Sequence, residues 1–467
     1  MLRKSVWQAA AALVACAAAL GPAPGIAADQ APSSLPETVP LTRDDMKRAL
    51  DDSKEAAPRL PLPPLTDAER QLIDEQHAEA ERTGELPRRF GLGNNGRMRA
   101  YYLPEYGFQL SLDVERARSG TNRNSASGFD PNFRTMLFWI VSRGNNCTYC
   151  LGHQESSLAS RGVTDDELAA LDGDWSEFDD AHSAAFAFAT KLSFQPWAIS
   201  DQDVEELREH FDETQTSEII QAIAGFNATN RWTGPLRIKQ DVLFPFVRPT
   251  SASYASAVSR IAPLEATPGS GGRVPPASRT RPALESQEDV DSALDAARSR
   301  SPRLALADDS AVQSALDDAA APDVIPNWMR LLAATPSGKE RIKAYSAVLD
   351  KGPLDARTRA IIAYVGARHD RAWYALGHAM NRLREMGFSD DAIFALDRPE
   401  SLESEADREI VRFARTITVD PALVTDDDFA RLRARYSDKQ VAEILYHITQ
   451  AAFFNRLTEA AGLPLEP

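Results

Sequence analysis

One register constrains this chain more than anything else: residues recur 225 positions apart, without a gap, over about a hundred residues. The stretch Asn145-Asn146-Cys147-Thr148-Tyr149-Cys150-Leu151-Gly152-His153-Gln154 aligns with Asp370-Arg371-Ala372-Trp373-Tyr374-Ala375-Leu376-Gly377-His378-Ala379. Arg134 and Arg359, Asp165 and Asp390, Leu171 and Leu396, Phe188 and Phe413, Leu207 and Leu432, and Glu218 and Glu443 keep the same offset. So do Asn230-Arg231 and Asn455-Arg456. Chance matches drift in register, so a single offset points to a duplicated domain. The copies differ where chemistry would sit. Cys147 faces Ala372 and Cys150 faces Ala375, while Gly152-His153 keeps its counterpart Gly377-His378.

Both copies read as helical. Phe133–Arg143 and Thr358–Arg368 are apolar runs of buried-helix length. Asp179–Leu192 and Glu405–Thr416 repeat apolar residues every three to four positions. Asp201–His210 and Asp426–Arg435 begin at acidic caps, and Thr216–Asn230 and Val441–Arg456 close each copy. Alternating β-patterns are absent, which gives an all-α fold of two tandem helical bundles, the second without the cysteines.

The chain's 467 residues exceed one hydrophobic core. The expected organisation is a leader at 1–28, a flexible arm and charged helix at 29–85, and a CxxC-bearing helical domain at 86–261. A linker follows at 262–283, then the thiol-free repeat at 284–467. Within 29–85, residues 29–65 are Pro- and acid-rich, and Thr66-Asp67-Ala68-Glu69 opens the charged helix.

Arg3 and Lys4, the apolar run Trp7 to Leu20 and the small residues Gly25-Ile26-Ala27 read as an export signal, placing the protein in the periplasm or outside the cell. The run is shorter than the ~20 residues of a membrane span. Alternatively, Leu13-Val14-Ala15-Cys16 is a lipobox and Cys16 a lipid anchor. A net charge of −16 argues against nucleic acid and anionic membrane surfaces as partners.

After leader removal only Cys147 and Cys150 remain. A pair two residues apart closes almost no loop and adds little as a staple, so its presence in an exported protein favours redox use. On a helix beginning near Asn146, Cys147, Cys150 and His153 share one face. The helix N-terminus favours thiolate, and a nearby imidazole accepts the thiol proton. Such a pair attacks a peroxide or a disulfide and resolves the intermediate internally. Cys150, nearest His153, is the expected attacking thiolate and Cys147 the resolving thiol, with the reverse order open. Three potential ligands fall short of the usual four for zinc, and no metal or other cofactor is expected.

Supporting candidates have bland alternatives. Arg134 either orients a substrate carboxylate or makes a helix-end salt bridge. Asn230 and Arg231 either line the cleft or tie helix ends. Glu155 either supplies a carboxylate or lies on a solvated face. Tyr149 stands between the thiols, and His153 itself could be a packing histidine, since His378 persists without sulfur. Asn227-Ala228-Thr229 matches a glycosylation acceptor but falls inside an expected helix.

The pattern Leu/Asp-x-x-x-Arg, an apolar helix, Asn-x-Cys-x-Tyr-Cys-x-x-His and Gly-(Val/Phe)-(Thr/Ser)-Asp-Asp resembles the carboxymuconolactone decarboxylase and alkylhydroperoxidase D-like superfamily. The close, Asn455-Arg456 through Ala461-Gly462-Leu463-Pro464-Leu465-Glu466, is also similar. The resemblance covers 100–245 and 320–467. It implies an all-helical fold, homo-oligomers and peroxide reduction through a CxxC disulfide, with a partner dithiol returning the electrons. Thr135 stands where that branch usually has a glutamate, Gln154 where it has a histidine, and Tyr149 where a relay histidine can occur. Two other readings follow: a lactone decarboxylase-like acid–base enzyme with His153 or His378 as base, and a non-catalytic helical scaffold.

Overall fold

The computed structural model describes residues 43–83, 93–104, 128–241, 281–316, 322, 324–335, 338–350 and 352–466. Among these residues there are nineteen α-helices and no strand. Up to residue 241 the helices are α1 (Arg43–Asp52), α2 (Asp67–Thr83), α3 (Asn94–Tyr102), α4 (Pro131–Gly144), α5 (Thr148–Ser160), α6 (Asp165–Ala170), α7 (Asp180–Phe194), α8 (Asp201–Arg208) and α9 (Glu213–Thr233). From residue 281 on they are α10 (Gln287–Arg298), α11 (Asp309–Ala315), α12 (Asn327–Ala333), α13 (Gly338–Asp350), α14 (Ala356–Asp370), α15 (Trp373–Glu385), α16 (Asp390–Ala395), α17 (Glu405–Val419), α18 (Asp426–Arg433) and α19 (Asp438–Ala460). The repeat itself spans α4–α9 and α14–α19.

Six helices of the second copy start in exact repeat register with a counterpart in the first: Ala356 with Pro131, Trp373 with Thr148, Asp390 with Asp165, Glu405 with Asp180, Asp426 with Asp201 and Asp438 with Glu213. For four of the six the starts coincide because side-chain caps do, Thr164 with Ser389, Asp179 with Ser404, Ser200 with Thr425 and Asp212 with Ser437. Capping boxes at Ser200 and Thr425 open α8 and α18, and boxes at Asp212 and Ser437 open α9 and α19. In each copy the first of these helices packs against the second, fourth and sixth, α4 on α5, α7 and α9, and α14 on α15, α17 and α19.

The two closing helices, α9 and α19, pack on each other more extensively than any other pair. One apolar core runs through both copies. Two buried arginines tie the junction reciprocally. Arg231 Nη2 donates to the Thr418 carbonyl at 3.4 Å, and Arg456 Nη2 donates to the Ser193 carbonyl at 2.7 Å. Donors and acceptors are repeat counterparts of one another. Arg456 also meets the buried Asp370 at 3.1 Å, where Arg231 meets neutral Asn145 at 3.2 Å.

The expected flexible arm departs from its reading over residues 43–65; residues 29–42 lie outside the described residues. Within 29–65, α1 buries Met46 and Leu50, four residues apart on one face, and Leu60 is buried as well. Arg59 donates to Asp426 at 2.6 Å and to the Pro235 carbonyl at 2.8 Å, so this segment straps the first copy to the second. By contrast, α2 is mostly exposed and opens with the Thr66–Glu69 box, the Glu69 carboxylate accepting from the Thr66 N–H at 2.7 Å. The leader 1–28, Cys16 and linker residues 262–280 lie outside the described residues. No described helix is long and apolar enough to cross a membrane.

Candidate dithiol site

The site begins with a reversal. Helix α4 ends at Gly144, and Asn146 takes φ 53°, a left-handed conformation that asparagine tolerates better than most residues. The turn closes with Cys147 N–H donating to the Ser142 carbonyl at 3.0 Å, which leaves Cys147 as the N-cap of α5. Arg371, the repeat counterpart of Asn146, makes the same turn at φ 48°. Backbone geometry, independent of sulfur, therefore presents residue 147 at a helix N-terminus.

Both cysteines are free thiols and buried, Cys147 completely and Cys150 to 4% exposure. The Cys150 N–H donates to Cys147 Sγ at 3.3 Å. Both sulfurs converge on one hydroxyl: Thr233 Oγ1 lies 3.0 Å from Cys147 Sγ and 3.2 Å from Cys150 Sγ. Thr233 Oγ1 also bonds the Thr229 carbonyl at 2.9 Å, so its proton has three acceptors within reach. Asn230, one turn earlier on α9, is close enough to favour the charged form of both sulfurs.

Burial by itself raises the Cys147 pKa, but hydrogen bonds from Cys150 and Thr233, with Asn230 close by, outweigh it and the thiol is lowered overall. Burial pushes Cys150 well up, and its neighbour Cys147 adds to the rise. The pair thus favours thiolate on Cys147 and a proton on Cys150, opposite to the order first expected.

His153 was expected as the proton acceptor for the thiols, but its ring nitrogens are occupied elsewhere. Nδ1 lies 2.7 Å from the Tyr149 carbonyl and Nε2 lies 2.9 Å from Asp241 Oδ2. The Tyr149 hydroxyl donates to the same Asp241 oxygen at 2.8 Å, and the Asn94 N–H donates to Oδ1 at 2.7 Å. Burial alone would raise Asp241, and these bonds, led by His153, leave it lowered. The second copy repeats this clamp without sulfur: Tyr374 and His378 both meet Glu466, each at 2.9 Å. The clamp fastens each copy's tail to its second helix, packing Gln240 on Gly152 and Leu465 on Gly377, where a Cβ would meet the tail side chain closer than van der Waals contact.

Glu155 is not on a solvated face. It is buried, and the Trp139 indole N–H donates to it at 3.0 Å. Arg134 makes an ion pair with Glu218 at 3.4 Å, the bland alternative. Arg231 serves the junction between the copies. Thr135 accepts from Arg161 at 2.6 Å on the surface, and Asn227 is fully buried within α9. Gln154 donates to Ser142 Oγ at 3.0 Å, and Asn230 Nδ2 donates to the same oxygen at 3.1 Å. A polar chain therefore leads to the sulfurs, but amides do not take up protons; it orients Asn230 rather than relaying charge.

Sequence reasoning missed Thr233 and Asp241. Thr233 follows Asn230 by one turn, and Asp241 is the repeat counterpart of Glu466; extending the register to the tail would have found the acid. Arg99 also approaches the site, its guanidinium 5.5 Å from the Trp232 ring centroid and within electrostatic reach of Cys150. Among the described residues no three His, Cys, Asp or Glu side chains gather as a metal site.

No family model matches the chain. It is 24% identical over 139 residues to an uncharacterized protein, YdfG, of Bacillus subtilis (strain 168). That stretch is 29% of this chain and 90% of the relative, so nearly the whole of that protein is spanned by less than a third of this one.

Proposed function

We propose that this protein is an exported thiol oxidoreductase of the alkylhydroperoxidase D-like kind, reducing small peroxides with the Cys147/Cys150 pair. The observation that carries this reading is the convergence of two free sulfurs on Thr233 Oγ1 at a helix N-terminus. The Cys147 thiolate attacks the peroxide, forming an S–O bond as the O–O bond breaks, and the leaving oxygen takes a proton to depart as alcohol or water. Cys150 Sγ then attacks the sulfenic sulfur, the hydroxyl leaves with the Cys150 proton as water, and the disulfide forms. A partner dithiol reduces it by thiol–disulfide exchange. The Thr233 hydroxyl, within reach of both sulfurs, is placed to pass the proton. Deep burial of the thiols fits a small substrate. The working form is a periplasmic or secreted homo-oligomer, with lipid anchoring through Cys16 as the alternative.

The test is peroxide consumption with a dithiol reductant, alongside titration of free thiols before and after peroxide. Loss of two thiols in the wild type and no turnover in Cys147→Ser or Cys150→Ser supports the reading. Unchanged consumption by the double variant removes it. A second reading is favoured by the Tyr–His–carboxylate clamp in both copies: an acid–base enzyme of the lactone decarboxylase kind, with His153 or His378 as base. Its activity would survive alkylation of both thiols and fall in His153→Ala or in His378→Ala. A thiol count unmoved by peroxide, with neither activity, would leave the scaffold reading.

A further inference from the structure

The thiol-free copy carries a cleft of its own. It measures about 840 Å³ and is lined by Arg281, His369, Arg371, Arg415, Asp427 and Arg431, a size within the range of small-molecule pockets. Five of these residues have repeat counterparts in the first copy: Gly144, Asn146, Thr190, Gln202 and Glu206. At matched positions the second copy has gained three arginines, one aspartate and a histidine, and lost a glutamate. Among the positions where the copies differ are the sulfurs of the first and the walls of this cleft in the second.

Most of the cleft's cations are engaged. Arg281 meets Asp370 at 3.1 Å, Arg371 meets Glu285 at 2.5 Å, and Arg431 meets Glu409 at 3.0 Å. Arg415 is different: it is exposed and has no hydrogen-bond or ion-pair partner among the described residues. The His369 ring, 7% exposed, has no hydrogen-bond partner among them either, although a buried polar ring ordinarily finds one. Burial, with Arg415 and Arg281 nearby, lowers His369 to about 3, so it presents one neutral donor and one acceptor. Asp427, at the first turn of α18, is also unpartnered among the described residues.

We propose that this cleft binds a small organic monocarboxylate carrying a hydroxyl or similar polar group. The Arg415 guanidinium would take the carboxylate as a two-pronged donor. His369 and Asp427 would satisfy the polar substituent. Three carboxylates in the lining, Asp397, Asp427 and Asp428, disfavour a dianion such as phosphate. The inference is independent of the dithiol chemistry, because none of these side chains touches the sulfurs' partners Thr233 or Asn230 among the described contacts.

The experiment is ¹⁹F NMR of 4-fluoro-3-hydroxybenzoate added to the full chain. Saturable line broadening is expected in the wild type, displaced by unlabelled 3-hydroxybenzoate and at least tenfold less well by inorganic phosphate. Arg415→Gln, a change at an exposed side chain, should weaken binding at least tenfold, and Cys147→Ser should leave it unchanged. Absence of saturable broadening, equal binding by Arg415→Gln, equal competition by phosphate, or loss of the signal in Cys147→Ser would each overturn the proposal.

Discussion

At the start of α5 two sulfurs meet Thr233, whose hydroxyl also bonds the Thr229 carbonyl at 2.9 Å. At the start of α15 the same turn is followed by Ala372 and Ala375, and Thr458 bonds the Phe454 carbonyl at 2.9 Å. Thr458 is the repeat counterpart of Thr233, and Phe454 that of Thr229. The threonine and its intrahelical bond therefore belong to the scaffold whether or not sulfur is present. The imidazoles give the opposite answer to the one spacing suggests: the clamp that holds His153 recurs around His378, where the thiols are absent, so its acid partner explains its presence first.

The largest difference expected between the copies is in turnover. Cys147→Ser or Cys150→Ser should lower peroxide consumption at least 100-fold with little change in the urea unfolding midpoint, whereas Ala372→Ser and Ala375→Ser should leave consumption unchanged. The reciprocal arginines come next. Arg456→Met leaves the fully buried Asp370 short of a charge partner and should cost about 3 kcal/mol. Arg231→Met breaks bonds to neutral groups and should cost about 1–2 kcal/mol. Equal losses in urea titrations would mean the two junction halves are energetically alike.

Thr233→Val should slow alkylation of Cys147 about tenfold at neutral pH and move its pH profile upward, because one hydrogen bond to the thiolate is gone; Thr458→Val should not affect it. The smallest effect concerns the clamps. Asp241 and Glu466 are both held below their ordinary values, with burial opposing and the paired histidine leading the lowering. A lowered carboxyl adds stability above its unfolded value, near pH 4, which disappears as pH falls through the folded value. Asp241→Asn should remove about 1 kcal/mol at pH 7 and little at pH 2, and Glu466→Gln somewhat less, since its histidine is 37% exposed. Unfolding free energies measured across that range check the sign.

Much of the fold was legible because caps and periodicity are local: four of the six paired helices begin at matched side-chain caps, Thr164, Asp179, Ser200, Asp212 and their counterparts. The strap was not, since Met46 and Leu50 are too few apolar positions to stand out in a Pro- and acid-rich segment. At the site, the N-terminal placement of Cys147 could be read from spacing, whereas the role of His153 could not. Chain spacing gives the face a side chain shares, but Asp241 and Thr233 arrive from elsewhere and decide which proton each group holds.

The reciprocal arginine ties have a consequence for how such a molecule can change. In an assembly of identical subunits every substitution appears twice, and a catalytic group and its loss cannot coexist. Joining the halves in one polypeptide keeps them at high local concentration whatever their affinity. Each half is then free to mutate alone, so sulfur chemistry need be maintained on one side only while the other side's walls acquire a different use.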